Sequence, residues 1–246
     1  MTLFLVRYGE LFLKSEPVKK RFEQQLIANI RAGMPDAKVT RRRGRILVEN
    51  ESGDTIGRIF GIVSYSPVTT CEPTMEEMKK AVVPLVHEGT FALRVNRPYK
   101  QFPKTSQEIA VALGSAVVEA KGNKVNLSAP DQAVFVEVFE DVVYVFTETI
   151  SGPGGLPLGT SGRLLLLNDS KDSERAAWMM MKRGCTIDVL GEKSSLIEEW
   201  SIGHKINYVE GDAEELMDGY PALVSGSREL PTEKKPYPVF QPLLGI

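Results

Sequence analysis

Residues 168–173 read Asn168-Asp169-Ser170-Lys171-Asp172-Ser173, with two carboxylates and two hydroxyls in one short turn. The apolar run RLLLLN precedes them, and a helical stretch, DSERAAWMMMKRG, follows and closes at Gly184. A strand-to-helix turn at the carboxyl end of a parallel sheet is where α/β folds bind nucleotides, because free helix N–H groups point at phosphate. Such turns favour glycine, which lets the backbone approach the phosphate and take positive φ. None of these residues is glycine. Asp169 and Ser170 place side chains where phosphate would sit, and an unscreened carboxylate there costs on the order of several kcal/mol. Mg²⁺ ligated by Asp169 and Asp172 would invert that sign. The plainer alternative is that Asp169, Ser170 or Asp172 caps the helix.

Two basic clusters suggest a different chemistry. Arg94, Arg97, Lys100 and Lys104 crowd one turn that leads into a helix beginning at Thr105 or Ser106. Thr105 and Glu108 have capping-box spacing, and free N–H groups at that helix start favour phosphate. Tyr99 and Phe102 are placed to stack on an unpaired base. Arg41, Arg42, Arg43 and Arg45 flank Gly44 in a hairpin. Close like charges there repel by roughly half a kcal/mol per pair unless anions neutralise them. Each cluster alone also reads as a solvated loop, but together they point to RNA. Residues 1–125 hold 20 Lys and Arg against 13 Asp and Glu, whereas residues 126–246 hold 10 against 19. A basic half facing a polyanion fits that asymmetry, as does uneven solvation.

The elements that must position these groups follow from periodicity. LFLVRYGE is a strand, and SEPVKKRFEQQLIANIRAG is a helix with Ser15 as N-cap and Gly33 as its end. AKVTRRR and RILVENE pair across Gly44, GDTIGRIFG is a short helix and IVSYSPVT a strand, giving a β-α-β-β-α-β ferredoxin-like order. TMEEMKKAVVPLVHEG, TFALRVNR, the capped helix from Thr105, and the runs AVFVEVFE and VVYVFTETI make a second domain. SGPGGLPLGTSGR is a glycine- and proline-rich linker with no lysine at Walker spacing. Strands RLLLLN, CTIDVL, INYVEG and PALVSG alternate with helices, a small doubly wound parallel sheet. The expected domains are residues 1–70, 71–150 and 163–246, with a linker at 151–162, in a chain of combined α/β and α+β class. With 42% hydrophobic residues and no run of the roughly 18 a membrane span needs, the chain reads as soluble. Cys71 and Cys185 are isolated thiols, which suggests a reducing cytoplasm, and scattered His and Cys make a zinc site improbable.

Several stretches carry a family resemblance: VRYGELFLKS, FALRVNRPYKQFPKTSQEIAVALGSAVV with KVNLSAPDQAVFVEV, ISGPGGLPLGTSGRLLLL, AAWMMMKRG and YPVFQPLLG. In this order they resemble the tRNA 4-thiouridine synthetases, also called thiamine-biosynthesis sulfurtransferases. The resemblance implies a ferredoxin-like domain, a THUMP domain and a PP-loop domain. The family binds the tRNA acceptor end, adenylates a uridine oxygen with ATP, and displaces AMP with a persulfide sulfur. Its turn reads Ser-Gly-Gly-x-Asp-Ser; this chain retains only Asp172 and Ser173. Leu166 and Leu167 stand where the family contacts nucleotide, and Gly226 matches a nucleotide-side glycine. The family's His-Phe pair is replaced by Gly191-Glu192. Its Gly-Glu-Ser is replaced by Gly226-Ser227-Arg228, which runs on to Pro231, and its reactive cysteine falls beyond Ile246. Cys185 does not take that cysteine's place. The resemblance therefore implies a tRNA-binding relative whose ATP site is degenerate. The alternative is a divergent sulfurtransferase that uses ATP and Mg²⁺ with a cysteine from a partner chain. Partners to expect are tRNA or a tRNA-like RNA, a second copy, or a sulfur-carrying or synthetase protein, and no membrane.

Overall fold

The computed structural model describes residues 1–9, 15–229 and 234–245. Residues 10–14 of the opening stretch, Pro231 and Ile246 lie outside the described residues. The chain begins with β1 (Thr2–Tyr8), α1 (Glu16–Gly33), the pair β2 (Lys38–Arg42) and β3 (Arg45–Asn50), and β4 (Ile62–Cys71). Then come α2 (Met75–Val82), β5 (Phe91–Asn96), α3 (Ser106–Lys121), β6 (Gln132–Val138), β7 (Val143–Phe146) and β8 (Ile150–Ser151). The last third holds β9 (Arg163–Asn168), α4 (Lys171–Lys182), β10 (Thr186–Gly191), α5 (Ser195–Trp200), β11 (Tyr208–Val209), α6 (Ala213–Leu216), β12 (Leu223–Val224) and β13 (Val239–Phe240). Two local expectations change. GDTIGRIFG forms only a 3-10 turn at Ile56–Arg58, and Ser15 sits at the N-cap position of α1 without a side-chain cap bond. Proline in the first turn of α1 already lacks one of the donors a cap would satisfy.

The chain forms two compact units, one of residues 1–5 and 66–150, the other of residues 6–65 and 151–246. In the first unit the strand order is β4-β7-β6-β5. β6 and β7 pair antiparallel, while β5 and β6 pair parallel, which requires the crossover that α3 supplies. α3 starts on a full capping box: Glu108 N donates to Thr105 Oγ1 at 3.2 Å and Thr105 N donates to the Glu108 carboxylate at 2.6 Å. Ile109, Leu113 and Val117 form its buried stripe against Phe91, Val134 and Val136.

In the second unit β2 and β3 form the expected hairpin, turning at Gly44 with φ of +70°. The later strands make a parallel sheet in the order β11-β10-β9-β12-β13. The order reverses between β9 and β12, so their carboxyl ends flank a switch-point crevice. Period-two alternation assigns the two sheet faces. Leu164 and Leu166 pack with Ala176, Ala177 and Met181 of α4, while Leu165 packs with Leu190, Met217 and Leu223. Phe60, Trp178 and Trp200 meet at centroid distances of 5.1–5.4 Å. Each such aromatic pair adds about 0.5–1.5 kcal/mol beyond area burial. His204 Nε2 lies 2.9 Å from Leu158 O and 3.2 Å from Asn29 Oδ1, while Asn29 Nδ2 donates to Leu158 O at 3.0 Å. Arg58 pairs with Glu199 at 2.9 Å. These contacts tie α1 and the 3-10 turn to the α/β sheet within the unit.

Candidate functional site

The turn between β9 and α4 lies at the switch point, and its side chains bond one another and Arg228. Ser170 is the N-cap: Ser173 N donates to its Oγ at 3.2 Å, one orphan helix donor satisfied. Ser173 is fully buried, and its hydroxyl donates to Asp169 Oδ1 at 2.7 Å. Asp172 accepts a bidentate pair from Arg228, with Nε at 2.8 Å and an Nη at 2.9 Å. The Arg228 hydrogen bonds hold the Asp172 carboxyl below the usual carboxylate range. Gly226 follows β12 and abuts the same helix start. A Cβ there would lie 2.2 Å from Ser173 N and 2.5 Å from the Asp172 carbonyl carbon, so only glycine fits without displacing backbone. Asp172, Ser173 and Gly226 thus come together. Leu166 is instead fully buried, and Leu167 is half-buried on the opposite sheet face.

The basic clusters are less uniform than their composition. Arg94 donates to Leu127 O at 2.6 Å, and Arg97 donates to Lys100 O at 2.9 Å and Phe102 O at 2.7 Å. These two arginines brace loops. Lys100, Lys104 and Thr105 are exposed and Ser106 is half-buried, at the start of α3. Phe102 packs partly on the core. In the hairpin Arg41 pairs with the buried Glu23, which also accepts from Tyr8 OH, while Arg43 is exposed and Arg42 half-buried. Burial and Glu23 together push the Tyr8 hydroxyl well above its ordinary range. The hairpin cluster belongs to one unit and the Arg94–Ser106 cluster to the other.

The most densely bonded carboxylate is one that motif reasoning missed. Asp188 on β10 is 2% exposed and accepts from Arg163 at 2.7 Å, Asn207 N at 2.9 Å, Asn207 Nδ2 at 3.1 Å and Tyr220 OH at 2.9 Å. Burial would raise its pKa, but the bonds from Asn207, Arg163 and Tyr220 outweigh burial and hold it below the ordinary value. An aspartate inside the apolar run CTIDVL was the available signal. Both thiols are insulated: burial pushes Cys71 up to about 11, with Glu77 adding to it, and burial alone raises Cys185.

Comparison with known proteins bears on this geometry. Residues 3–66 match the ThiI ferredoxin-like domain and residues 72–148 the THUMP domain. A probable tRNA sulfurtransferase of Methanobrevibacter smithii is 40% identical over 201 residues, covering 76% of this chain and 52% of the relative. Its counterpart in Methanocaldococcus jannaschii is 40% identical over 212 residues, covering 78% and 56%. The chain belongs to the tRNA sulfurtransferase family. It spans about half the length of the curated sulfurtransferases it matches. Among solved structures, PH1313 from Pyrococcus horikoshii Ot3 superposes with TM-score 0.86 at 27% identity, covering 100% of this chain and 95% of that one. A 4-thiouridine synthetase–RNA complex with bound ATP superposes with TM-score 0.81 at 26% identity, covering 100% of this chain and 81% of that one. Among the described residues no helix is long and apolar enough to cross a membrane.

Proposed function

We propose that this sulfurtransferase-family chain binds tRNA, or a structured RNA with a similar end, and that its ATP-dependent adenylation site is degenerate. The reading assumes three parts, residues 1–70, 71–150 and 163–246, joined through 151–162. RNA phosphates meet Lys100, Lys104, Thr105 and Ser106 at the start of α3, with Arg43 and the outer part of Arg41 and Arg42 as a further contact. Arg94 and Arg97 hold that loop in shape. The THUMP match, and the RNA in the related synthetase complex, support this half of the reading.

One observation carries the second half. The side chains at the α4 start satisfy one another: Ser170 caps, Asp169 holds Ser173, and Asp172 is clamped by Arg228. Gly226 fills the space against the same backbone. That set is a poor match for a triphosphate and its magnesium. The test is calorimetric titration of Mg·ATP into the protein, with and without tRNA. Micromolar binding would refute degeneracy and favour the divergent sulfurtransferase, which the full-length superposition on an ATP-bound relative keeps in view. Absence of tRNA binding at moderate salt would refute the RNA half.

A further inference from the structure

α4 presents a line of cations that neither the catalytic turn nor the THUMP cluster uses. Lys171, Arg175, Trp178 and Lys182 stand at i, i+4, i+7 and i+11 on one helix face, and Arg183, at the C-cap, lies beside the end of the line, about 100° around the helix from Lys182. The line is about 17 Å long at 1.5 Å per residue. Lys171, Arg175 and Arg183 are exposed and Lys182 half-buried. Residues 126–246 carry 10 Lys and Arg against 19 Asp and Glu, and three of those 10 cations sit on this one line, with Arg183 beside its end. Of the six other cations of this segment, three are paired with carboxylates, Arg163 with Asp188, Arg228 with Asp172 and Lys235 with Glu214, and Lys193 lies over the Tyr208 ring. Among the described residues none of the four along α4 makes an ion pair, though Arg175 stands close enough to Asp172 to help lower its pKa, and Lys182 lies over the Trp178 ring at 5.3 Å. Of the acids on α4, Asp172 is committed to Arg228, and Glu174 falls about 70° to one side of the line by helix geometry.

At its C-terminal end the line meets a groove of about 730 Å³ walled by Trp178, Met179, Met180, Lys182, Arg183 and Phe240. That is within the usual size of a small-ligand pocket. The Trp178 ring is already enclosed by Phe60, Trp200 and Lys182, so it forms a wall. The Phe240 ring is 44% exposed and offers a stacking face. A row of unmatched cations ending in an aromatic and thioether groove has the chemistry of a single-stranded RNA track: phosphates along the row, a base against the ring.

We propose that the exposed face of α4 and the Phe240 groove form a second RNA-contacting surface, on the α/β domain and separate from the helix start at the switch point. It rests on the RNA-binding reading above and assigns a site to it. The test measures the affinity of the full chain for transcribed tRNA across about 50–300 mM salt, where phosphate contacts set the slope. In a triple variant, Arg175→Ala with Lys182→Gln and Arg183→Ala, the logarithmic salt slope should shrink by about three and affinity fall at least about tenfold. Phe240→Ala should lower affinity about fivefold or more with the slope unchanged, since stacking carries no counterion release. Tryptophan-monitored melting checks that each variant is folded, and Arg175→Glu alone, on an exposed site, gives a second reading if the triple variant is not. Wild-type affinity and slope in the folded triple variant would overturn this inference and leave the THUMP contact standing. No tRNA binding by the wild type would overturn both. If a polyglutamate peptide binds and the triple variant loses only that, the surface belongs to an acidic protein segment and the RNA assignment is wrong.

Discussion

Replacing Asp188 with Asn tests whether the buried bond network on β10 holds the α/β sheet together. The carboxylate accepts from two groups of Asn207, from Tyr220 and from Arg163, and it is 2% exposed. Asn keeps one acceptor oxygen and turns an NH₂ toward donors, so at least one buried donor loses its partner. Stranding one member of a buried ion pair costs about 3–5 kcal/mol. The Arg163 side chain is 41% exposed and remains partly solvated, so about 2–3 kcal/mol is the better figure. At about 2–4 °C per kcal/mol for a domain of this size, the melting temperature should fall by roughly 5–10 °C. Trp178 and Trp200 both lie in the same unit as Asp188, so their fluorescence reports that unit's unfolding. The pH dependence has a definite sign. Because the folded pKa is depressed, the stabilisation is complete above the unfolded value of about 3.9 and is lost as pH falls through the folded one. The gap between wild type and Asp188→Asn should therefore hold from about pH 7 to 5 and narrow below about 4. A variant melting within about 1 °C of wild type at neutral pH, or a gap that closes between pH 7 and 5, would refute the reasoning.

Further outcomes follow from the same geometry. His204 is held below its ordinary pKa by burial, with Arg163 adding to the effect against the Leu158 bond, so it stays neutral in the fold. The unfolded state protonates first, so wild-type melting temperature should drop as pH falls below about 6.5, and His204→Gln should flatten that slope. Gly226→Ala should push the loop after β12 off the α4 start, lowering the melting temperature by several times the effect of Arg228→Ala, which removes only an exposed pair; equal shifts would contradict the packing. Lys100→Ala and Lys104→Ala should weaken tRNA binding with unchanged melting, whereas Arg97→Ala should loosen the loop that accepts its two bonds, read by proteolysis between β5 and α3.

The fold was legible where local chemistry and burial agree. The α3 start was readable because Thr105 and Glu108 satisfy each other within one turn, needing no distant partner. The parallel sheet was readable because RLLLLN and CTIDVL are mostly apolar runs buried on both faces. GDTIGRIFG forms a short 3-10 helix at Ile56–Arg58, with Ile56, Ile59 and Phe60 buried in the core. Site chemistry was harder to read, because charge in a sequence does not reveal its partner. Arg41, Arg94 and Arg97 count as cations in composition, yet each is used on a carboxylate or carbonyl nearby in space. Arg228 and Asp172 are far apart in the chain, so only the structure pairs them.

That pairing bears on what glycine does in this turn. A glycine-rich turn leaves its N–H groups for a ligand because no side chain competes for them. With Asp169, Ser170 and Asp172 in place, Ser173 N and its hydroxyl bond to Ser170 and Asp169, and Asp172 pairs with Arg228. Glycine is still required at Gly226, where it allows backbone to pack on backbone. Restoring glycine at 169 and 170 alone would remove the side-chain bonds to Ser173 N and its hydroxyl yet leave Arg228 clamped to Asp172. Nucleotide binding should then respond only when Arg228 is removed as well. A gain from the glycines alone would mean that the ion pair closes nothing, and a gain from neither would place the obstacle in Gly226 and its loop.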